Sequence, residues 1–381
     1  MKGFSTRLAH IQEYYFSQKL KEVRELIQAG HEVINMGIGS PDLPPHPNVI
    51  AALTEVAVEP NAHGYQGYQG IPALRTGFAR FYQKHYQVEL DPDREILPLL
   101  GSKEGIVHVS LAFLDAGDEV LIPNPGYPTY ASACQLVGAK AVPYDLRASN
   151  NWMPDFEALE KMDLSKVKLM WVNYPHMPTG ARADVHVFAK LLDFGRRHEI
   201  LIVHDNPYSF ILEDDPKSIM SLDGAFEVAM ELNSLSKTSN MAGWRIGVLV
   251  GKADYIGAVL KVKSNMDSGM FLGVQHGAIA ALELSDTWYK DLNQIYLSRR
   301  RLIWHLAEKL HLEVDKHAVG MFVWAKMMDG SDDYALVDSL LKSHYLFVTP
   351  GSIFGSNGSG YIRFSLCVSE DLIQEAINRI K

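Results

Sequence analysis

A lysine that follows Ser-x-Ser, with an arginine eight residues further on, is the most suggestive chemical pattern in this chain: residues 234–247 read SLSKTSNMAGWRIG. The segment follows an apolar run, so Lys237 is expected just past the end of a buried strand. An amine placed there is partly desolvated, its pKa falls, and it becomes a Schiff-base former. Arg245 could meet a phosphate with its planar guanidinium. Taken alone, a solvated loop lysine explains the segment equally well.

Other segments offer matching partners, each with a plainer explanation beside it. In ILIVHDNPYSF (200–210) Asp205 ends an apolar run, and a buried carboxylate there would suit a ring cation; Tyr208 could donate to the same ligand. Asp-Asn-Pro is also ordinary turn chemistry. In LLGSKEGI (99–106) a glycine turn leads into a helix headed by Ser102 and Lys103. Helix N-terminal amides bind phosphate, or Ser102 simply caps the helix. In PNPGYPTY (123–130) Tyr127 could stack on a flat ligand or merely pack. NYPHMPTG (173–180) is a turn after a strand, with Asn173 at its start. In GYIRFSLC (360–367) Arg363 interrupts an apolar strand, which calls for an anion: a substrate carboxylate or an internal salt bridge.

Several chemistries are missing. The 15 histidines form no HExxH, since His31-Glu32 and His198-Glu199 lack the second histidine, so no metal site is expected. Neither GxGxxG, a Walker loop nor a GxSxG elbow is present. A formal net charge of −9 argues against a nucleic-acid partner. No apolar run is long enough for a membrane span, and the first residues carry no secretory signal pattern. Cys134 and Cys367 form no CxxC pair, so a cytoplasmic setting is expected.

The elements that must position these residues follow from hydropathy. The chain has 381 residues, too many for one small core, and is 47% apolar and 21% charged. Apolar runs at 119–123, 167–173, 200–205, 228–233 and 245–251 suit buried strands, and helical patterns at 103–114, 128–137 and 184–198 fall between some of them. That alternation implies an α/β architecture with a mostly parallel sheet flanked by helices. Ligands of such sheets bind beyond the carboxyl ends of the strands, where the motifs above fall. Further helices are expected at 10–29, 47–57 and 72–86, and a long one over 286–310. The expected division is an N-terminal segment (1–45) joining the small domain, a large domain (46–285), a linking helix (286–311) and a small C-terminal α+β domain (312–381).

Order, spacing and strand-end positions together resemble the class I/II aminotransferases, the pyridoxal 5'-phosphate enzymes of the aspartate aminotransferase fold. The resemblance runs from GIGSPD (37–42) to GYIRFSLC. It implies a seven-stranded large domain and a homodimer. It implies that Lys237 carries the cofactor as a Schiff base and that Arg245, Ser102, Lys103, Ser234 and Ser236 lie around its phosphate. Asp205 would hold the pyridine nitrogen, Tyr208 the ring hydroxyl oxygen, and Tyr127 would stack on the ring. Arg363 and Gly39 would meet the substrate carboxylate, and Tyr65, in HGYQGYQG (63–70), would reach the partner subunit's phosphate. One position departs: the family usually has Asn before Pro-Thr-Gly, donating to that ring oxygen, and here it is Met177, which cannot donate. Asn173 matches a different family position and is taken with the substrate-binding residues.

The implied reaction moves an amino group between an L-amino acid and a 2-oxo acid through Lys237. EYYF (13–16), Tyr15 included, and SNMDSGMF (264–271) are expected to line the side-chain pocket. The substrate leaning is toward aromatic or dicarboxylic acids, including aspartate and diaminopimelate-like ones. A carbon–sulfur β-lyase or a decarboxylase on the same scaffold is the alternative. An aminotransferase-like regulator would need a DNA-binding module, for which the roughly 35 residues before GIGSPD are too few.

Overall fold

The computed structural model describes Ser5, Leu8 and residues 15–380. Its centre is a seven-stranded sheet in the order Ile96–Leu99, Gly247–Gly251, Ala229–Ser234, Leu201–Asp205, Val167–Val172, Glu119–Asn124, Lys140–Asp145. The last five run parallel, and Gly247–Gly251 is antiparallel to both of its neighbours. The inner strands are buried along nearly their whole length, which is why they read as continuous apolar runs.

The antiparallel strand explains a spacing. Parallel strands end at one edge of the sheet, and an antiparallel neighbour begins there. The turn after Ser234 therefore needs only a few residues to bring Lys237, then Arg245, to the edge where Asp205 ends its strand. Gly247 starts the returning strand, and a Cβ on it would press into the backbone of Gly101 and Ser102.

Helices cover both faces. Ser102–Phe113, Thr129–Val137 and Val185–His198 lie close to the expected bounds, as do Pro47–Ala57 and Pro72–Tyr86, each with proline in its first turn. The N-terminal helix is Tyr15–Gln28; residues 10–14 of the expected helix lie outside the described residues. One core packs Phe78, Tyr82, Phe188 and Ile202 on one sheet face, and another packs Ile106, Trp171 and Leu249 on the other.

A further core joins the two ends of the chain. Phe16, Val23, Ile34 and Met36 pack with Tyr296, Ile303, Phe347, Phe364 and Ile377. The long helix Asp286–Lys309 contributes to it, as does an antiparallel sheet ordered Thr349–Pro350, Tyr361–Ser365, Phe322–Met327, Leu312–Val314. The segment around Gly37 is short of regular structure: Ile34–Asn35 pairs with Leu346–Phe347, and the Met36 N–H adds a bond to the Phe347 carbonyl at 2.8 Å. Asp42 fixes its far end through a two-pronged bond to Arg299 on the long helix, at 2.7 and 2.8 Å. No helix among the described residues is long and apolar enough to cross a membrane.

Candidate active site

A cavity of about 630 Å³ opens at the carboxyl edge of the seven-stranded sheet, against the core shared by the chain ends. Its size suits a small ligand. Gly39, Ser102, Lys103, Tyr127, Asn173, Asp205, Tyr208, Ser234, Ser236, Lys237, Arg245 and Arg363 all line it. Two of the residues expected at the site do not. Tyr65 is 95% exposed on its glycine-rich loop. Tyr15 faces a neighbouring groove with Pro123, Tyr127 and Tyr334, and its neighbour Phe16 takes the place in the cavity. Successive helix residues point about 100° apart; Phe16 reaches both the cavity and the groove, while Tyr15 reaches only the groove. Residues 264–271 are also absent from its lining: Met266 and Phe271 are exposed, and Gly269 lies against the backbone of Gln66 and Gly67.

Lys237 sits in a one-turn helix, Leu235–Thr238, capped by Ser234, whose hydroxyl accepts from the Ser236 N–H at 3.1 Å. Its Nζ donates to the Gly39 carbonyl. Burial drives its pKa down, and the positive charges of Arg363 and Arg245 push the same way. The amine is thereby prepared to be neutral and nucleophilic.

Asp205 lies across the cavity floor. Its Oδ2 accepts from the Tyr130 hydroxyl at 2.8 Å, while Oδ1 is buried with no hydrogen-bond partner. Burial pushes its pKa up to about 6 against the restraining bond from Tyr130. Asn173 braces the floor: Nδ2 donates to the Asp205 carbonyl at 2.6 Å and Oδ1 accepts from the Met177 N–H at 2.8 Å. Burial raises the pKa of Tyr208, which stays a phenol.

The helix Ser102–Phe113 points its N-terminus into the cavity, and Gly101 before it has φ 92°. A side chain on Gly101 would overlap the Arg245 guanidinium, so glycine is required both by the backbone and by the space. Arg245 donates to the carbonyls of Ala242 (2.9 Å) and Leu100 (3.4 Å) and remains exposed toward the cavity. The helix N-terminus and the Arg245 guanidinium thus lie side by side at one end of the cavity, whose lining also includes Ser102 and Ser236.

The opposite wall is aromatic. The Arg363 guanidinium lies 4.1 Å from the ring centre of Phe322, 4.7 Å from Phe354 and 5.6 Å from Phe16. Nη2 donates to the Gly37 carbonyl at 2.7 Å, and Nη1 approaches Met177 Sδ at 3.4 Å. Phe16, Leu20, Ile38 and Phe322 make the remaining surface apolar. Of these, Phe16 lies in EYYF and Ile38 in GIGSPD, while Leu20 and Phe322 lie in no motif singled out from the sequence.

Among the described residues one group could hold a metal ion, Glu104, His108 and Asp267. Both oxygens of Asp267 are bonded to the Lys263 ammonium, at 2.7 and 2.8 Å, which leaves a cation there facing another cation.

Comparison with known proteins points one way. The sequence profile of aminotransferase class I and II matches residues 31–380. LL-diaminopimelate aminotransferase of Dehalococcoides mccartyi is 40% identical over 378 residues, covering 99% of this chain and 97% of that one. The substrate-bound structure of BacF from Bacillus subtilis superposes with a TM-score of 0.95 at 34% identity, covering 100% of this chain and 97% of the other. A probable N-succinyldiaminopimelate aminotransferase from Thermus thermophilus superposes at 0.88 with 31% identity, covering 96% and 98%.

Proposed function

The chain belongs to the class I and II aminotransferases, a family of pyridoxal-phosphate enzymes, and from that membership we propose that Lys237 carries the cofactor and Asp205 holds its ring nitrogen. The observation that carries this reading is the buried, partnerless Oδ1 of Asp205, in the cavity that Lys237 also lines. A buried carboxylate oxygen without a donor is costly and calls for a cationic N–H. The cluster of Ser102, Ser236, Arg245 and helix amides fits a phosphate, and Tyr127 offers a face for a flat ring.

When bound, the cofactor supplies an electron-withdrawing ring that stabilises negative charge at the substrate α-carbon. The rest falls to this chain's residues. Arg363 binds the substrate α-carboxylate and orients the Cα–H bond. Lys237 Nζ, neutral through burial, would take the proton from the substrate α-carbon and deliver it to the cofactor's exocyclic carbon C4′, acting first as base and then as acid. Asp205 stays ionised to hold a proton on the ring nitrogen. Ser102, Ser236 and Arg245 anchor the phosphate. Tyr65 serves the neighbouring subunit's site in a homodimer, a reading supported by its exposure on the loop Gly64–Gly70. The division into domains at 46–285 and 312–381, with the N-terminal segment joining the latter, is supported by the separate cores. The buried free thiols Cys134 and Cys367 fit a cytoplasmic setting.

For the amino donor, the D. mccartyi and T. thermophilus relatives support a diaminopimelate-like amino acid. A specific observation favours a second reading: the wall of Phe16, Leu20, Ile38 and Phe322 suits an apolar or aromatic side chain. The test is a panel of amino donors added to cofactor-loaded enzyme, followed by loss of the absorbance of lysine-bound cofactor. Response to LL-diaminopimelate and not to phenylalanine selects the first reading, and the reverse selects the second. If no amino acid bleaches the band, the aminotransferase site has been placed wrongly.

A further inference from the structure

Tyr130 stands at the cavity floor and no part of the chemistry above uses it. It is 1% exposed, and its ring is stacked on Trp171, with centres 5.0 Å apart and planes 7° from parallel. Tyr127 meets its edge at 5.7 Å and 88°. Trapped between two rings, the phenol has little freedom to swing, and its hydroxyl is aimed at Asp205 Oδ2, 2.8 Å away. We infer that Tyr130 is a positioning residue for Asp205: it occupies one carboxylate oxygen so that the other, Oδ1, is the one presented to the cofactor's ring N–H.

Three features of the site support this and rest on the cofactor reading above. The two oxygens of Asp205 are divided, Oδ2 bonded and Oδ1 not, so the carboxylate has only one acceptor left to offer. Its main chain is fixed as well, through the Asn173 bond to its carbonyl and the Asn206 N–H bond to Leu232, so the side chain can turn only about its own torsions. Tyr130 removes that remaining freedom. The bond also favours the ionised carboxylate against burial, and burial holds Tyr130 itself firmly protonated as the donor. Without it the carboxyl would tend to bind a proton, and a neutral acid attracts a ring N–H far less.

A purely structural role and a positioning role predict different things. If Tyr130 only fills space, its loss weakens every ring-shaped ligand equally. If it positions Asp205, its loss weakens only ligands with a ring nitrogen. The experiment compares binding of pyridoxal phosphate and of its 1-deaza analogue, which carries CH in place of the nitrogen, to cofactor-free protein by fluorescence quenching. Wild type should prefer the nitrogen-bearing ligand. Tyr130→Phe keeps the ring stack and loses one oxygen; it should lower that preference by about tenfold through weaker binding of pyridoxal phosphate alone. Tyr130→Met, checked for folding by circular dichroism, provides the same test if the phenylalanine variant does not fold. In an Asp205→Asn background Tyr130→Phe should change the preference no further. Equal weakening of both ligands, or an unchanged preference, overturns the inference while leaving the cofactor site standing. Absence of any preference in wild type would instead count against the role assigned to Asp205.

Discussion

Glu231 and Asp205 are acids buried on adjacent strands of one sheet, and they differ in how completely they are matched. Glu231 pairs in register with His204, the residue before Asp205, and so projects to the other face. It has hydrogen bonds to the Tyr82 hydroxyl (2.8 Å), His204 Nδ1 (2.8 Å), the Ser218 hydroxyl (2.8 Å) and the Ile219 N–H (3.2 Å). Asp205 has one side-chain donor and one empty oxygen. A buried acid with a full set of donors is finished architecture, and removing it leaves its partners stranded. A half-matched acid beside a cavity is a socket, with its energetic benefit deferred until a ligand arrives. Lys237, lowered in pKa by burial rather than steadied by a carboxylate, is of the second kind.

The largest effect should come from the socket's nucleophile. Lys237→Ala should lose turnover by several orders of magnitude while the cofactor-free fold keeps its melting temperature. The variant should hold cofactor without a link that borohydride can reduce. Mixing it with a Tyr65→Phe chain should recover part of the activity, if each chain supplies one intact half of a hybrid site. Turnover retained by Lys237→Ala would break the distinction at its centre.

Next, the two acids should part company in stability. Glu231→Ala should destabilise the protein by about 3–5 kcal/mol in chemical unfolding, since it strands a buried network. Asp205→Asn in cofactor-free protein should cost nothing or stabilise. The sign follows from the raised pKa: with the folded value near 6 and the unfolded value near 3.8, Asp205 contributes stability below about pH 4 that is lost as pH rises through 6. The advantage of the asparagine variant should therefore grow between pH 4 and 6 and then level off, at no more than about 3 kcal/mol. A flat difference across that range would mean that Asp205 is not the group titrating.

Arg363 carries the comparison to the aromatic wall. Arg363→Ala should lower kcat/KM for all donors alike by about 2–5 kcal/mol, because the α-carboxylate is common to every amino acid. A loss confined to donors with a second carboxylate would move Arg363 to the far end of the pocket.

How much of this was legible in the sequence follows the same division. The floor residues fall at or beside the ends of apolar runs, and a strand's end is a place that hydropathy can locate; Lys237, Asp205, Asn173 and Arg245 come together for that reason. The wall was legible only in part: EYYF placed Phe16 at the pocket, whereas Ile38 and Phe322 come from segments far apart in the chain, and no local spacing connects them to it. Tyr130 lies three residues beyond Tyr127 in a segment already singled out, but a tyrosine at a helix start looks like packing until its hydroxyl is seen to meet Asp205. The segment 264–271, expected to line the side-chain pocket, lies outside this chain's cavity.

The smallest expected effect concerns Met177, where the wall meets the floor. The residue usual before Pro-Thr-Gly in this family is an asparagine that donates to the cofactor's ring hydroxyl oxygen, and methionine has no donor. Its sulfur is instead turned toward Arg363 Nη1 at 3.4 Å. Two neighbours could have compensated, and neither is placed to do so. His176 does not line the cavity; its Nδ1 is engaged with Thr179 Oγ1 at 2.8 Å, and burial holds its pKa down to about 3. Asn173 does line the cavity, but its amide is anchored at both ends on backbone, to Asp205 and Met177. On the proposed cofactor reading, Tyr208 would be left as the donor to that oxygen. With one donor fewer, the ring oxygen keeps more negative charge and holds the proton of the lysine-bound cofactor more tightly. A hydrogen bond to a charged group contributes about 1.5–3 kcal/mol, enough to move a pKa by about one unit. Met177→Asn should therefore make the lysine-bound cofactor lose its proton about one pH unit lower than wild type, read from its absorbance during a pH titration. The wild-type protein should stay protonated to higher pH, in the form ready for attack by an amine. If the asparagine variant titrates at the same pH or higher, another donor already fills the place, and a water on the floor of the cavity becomes the group to look for.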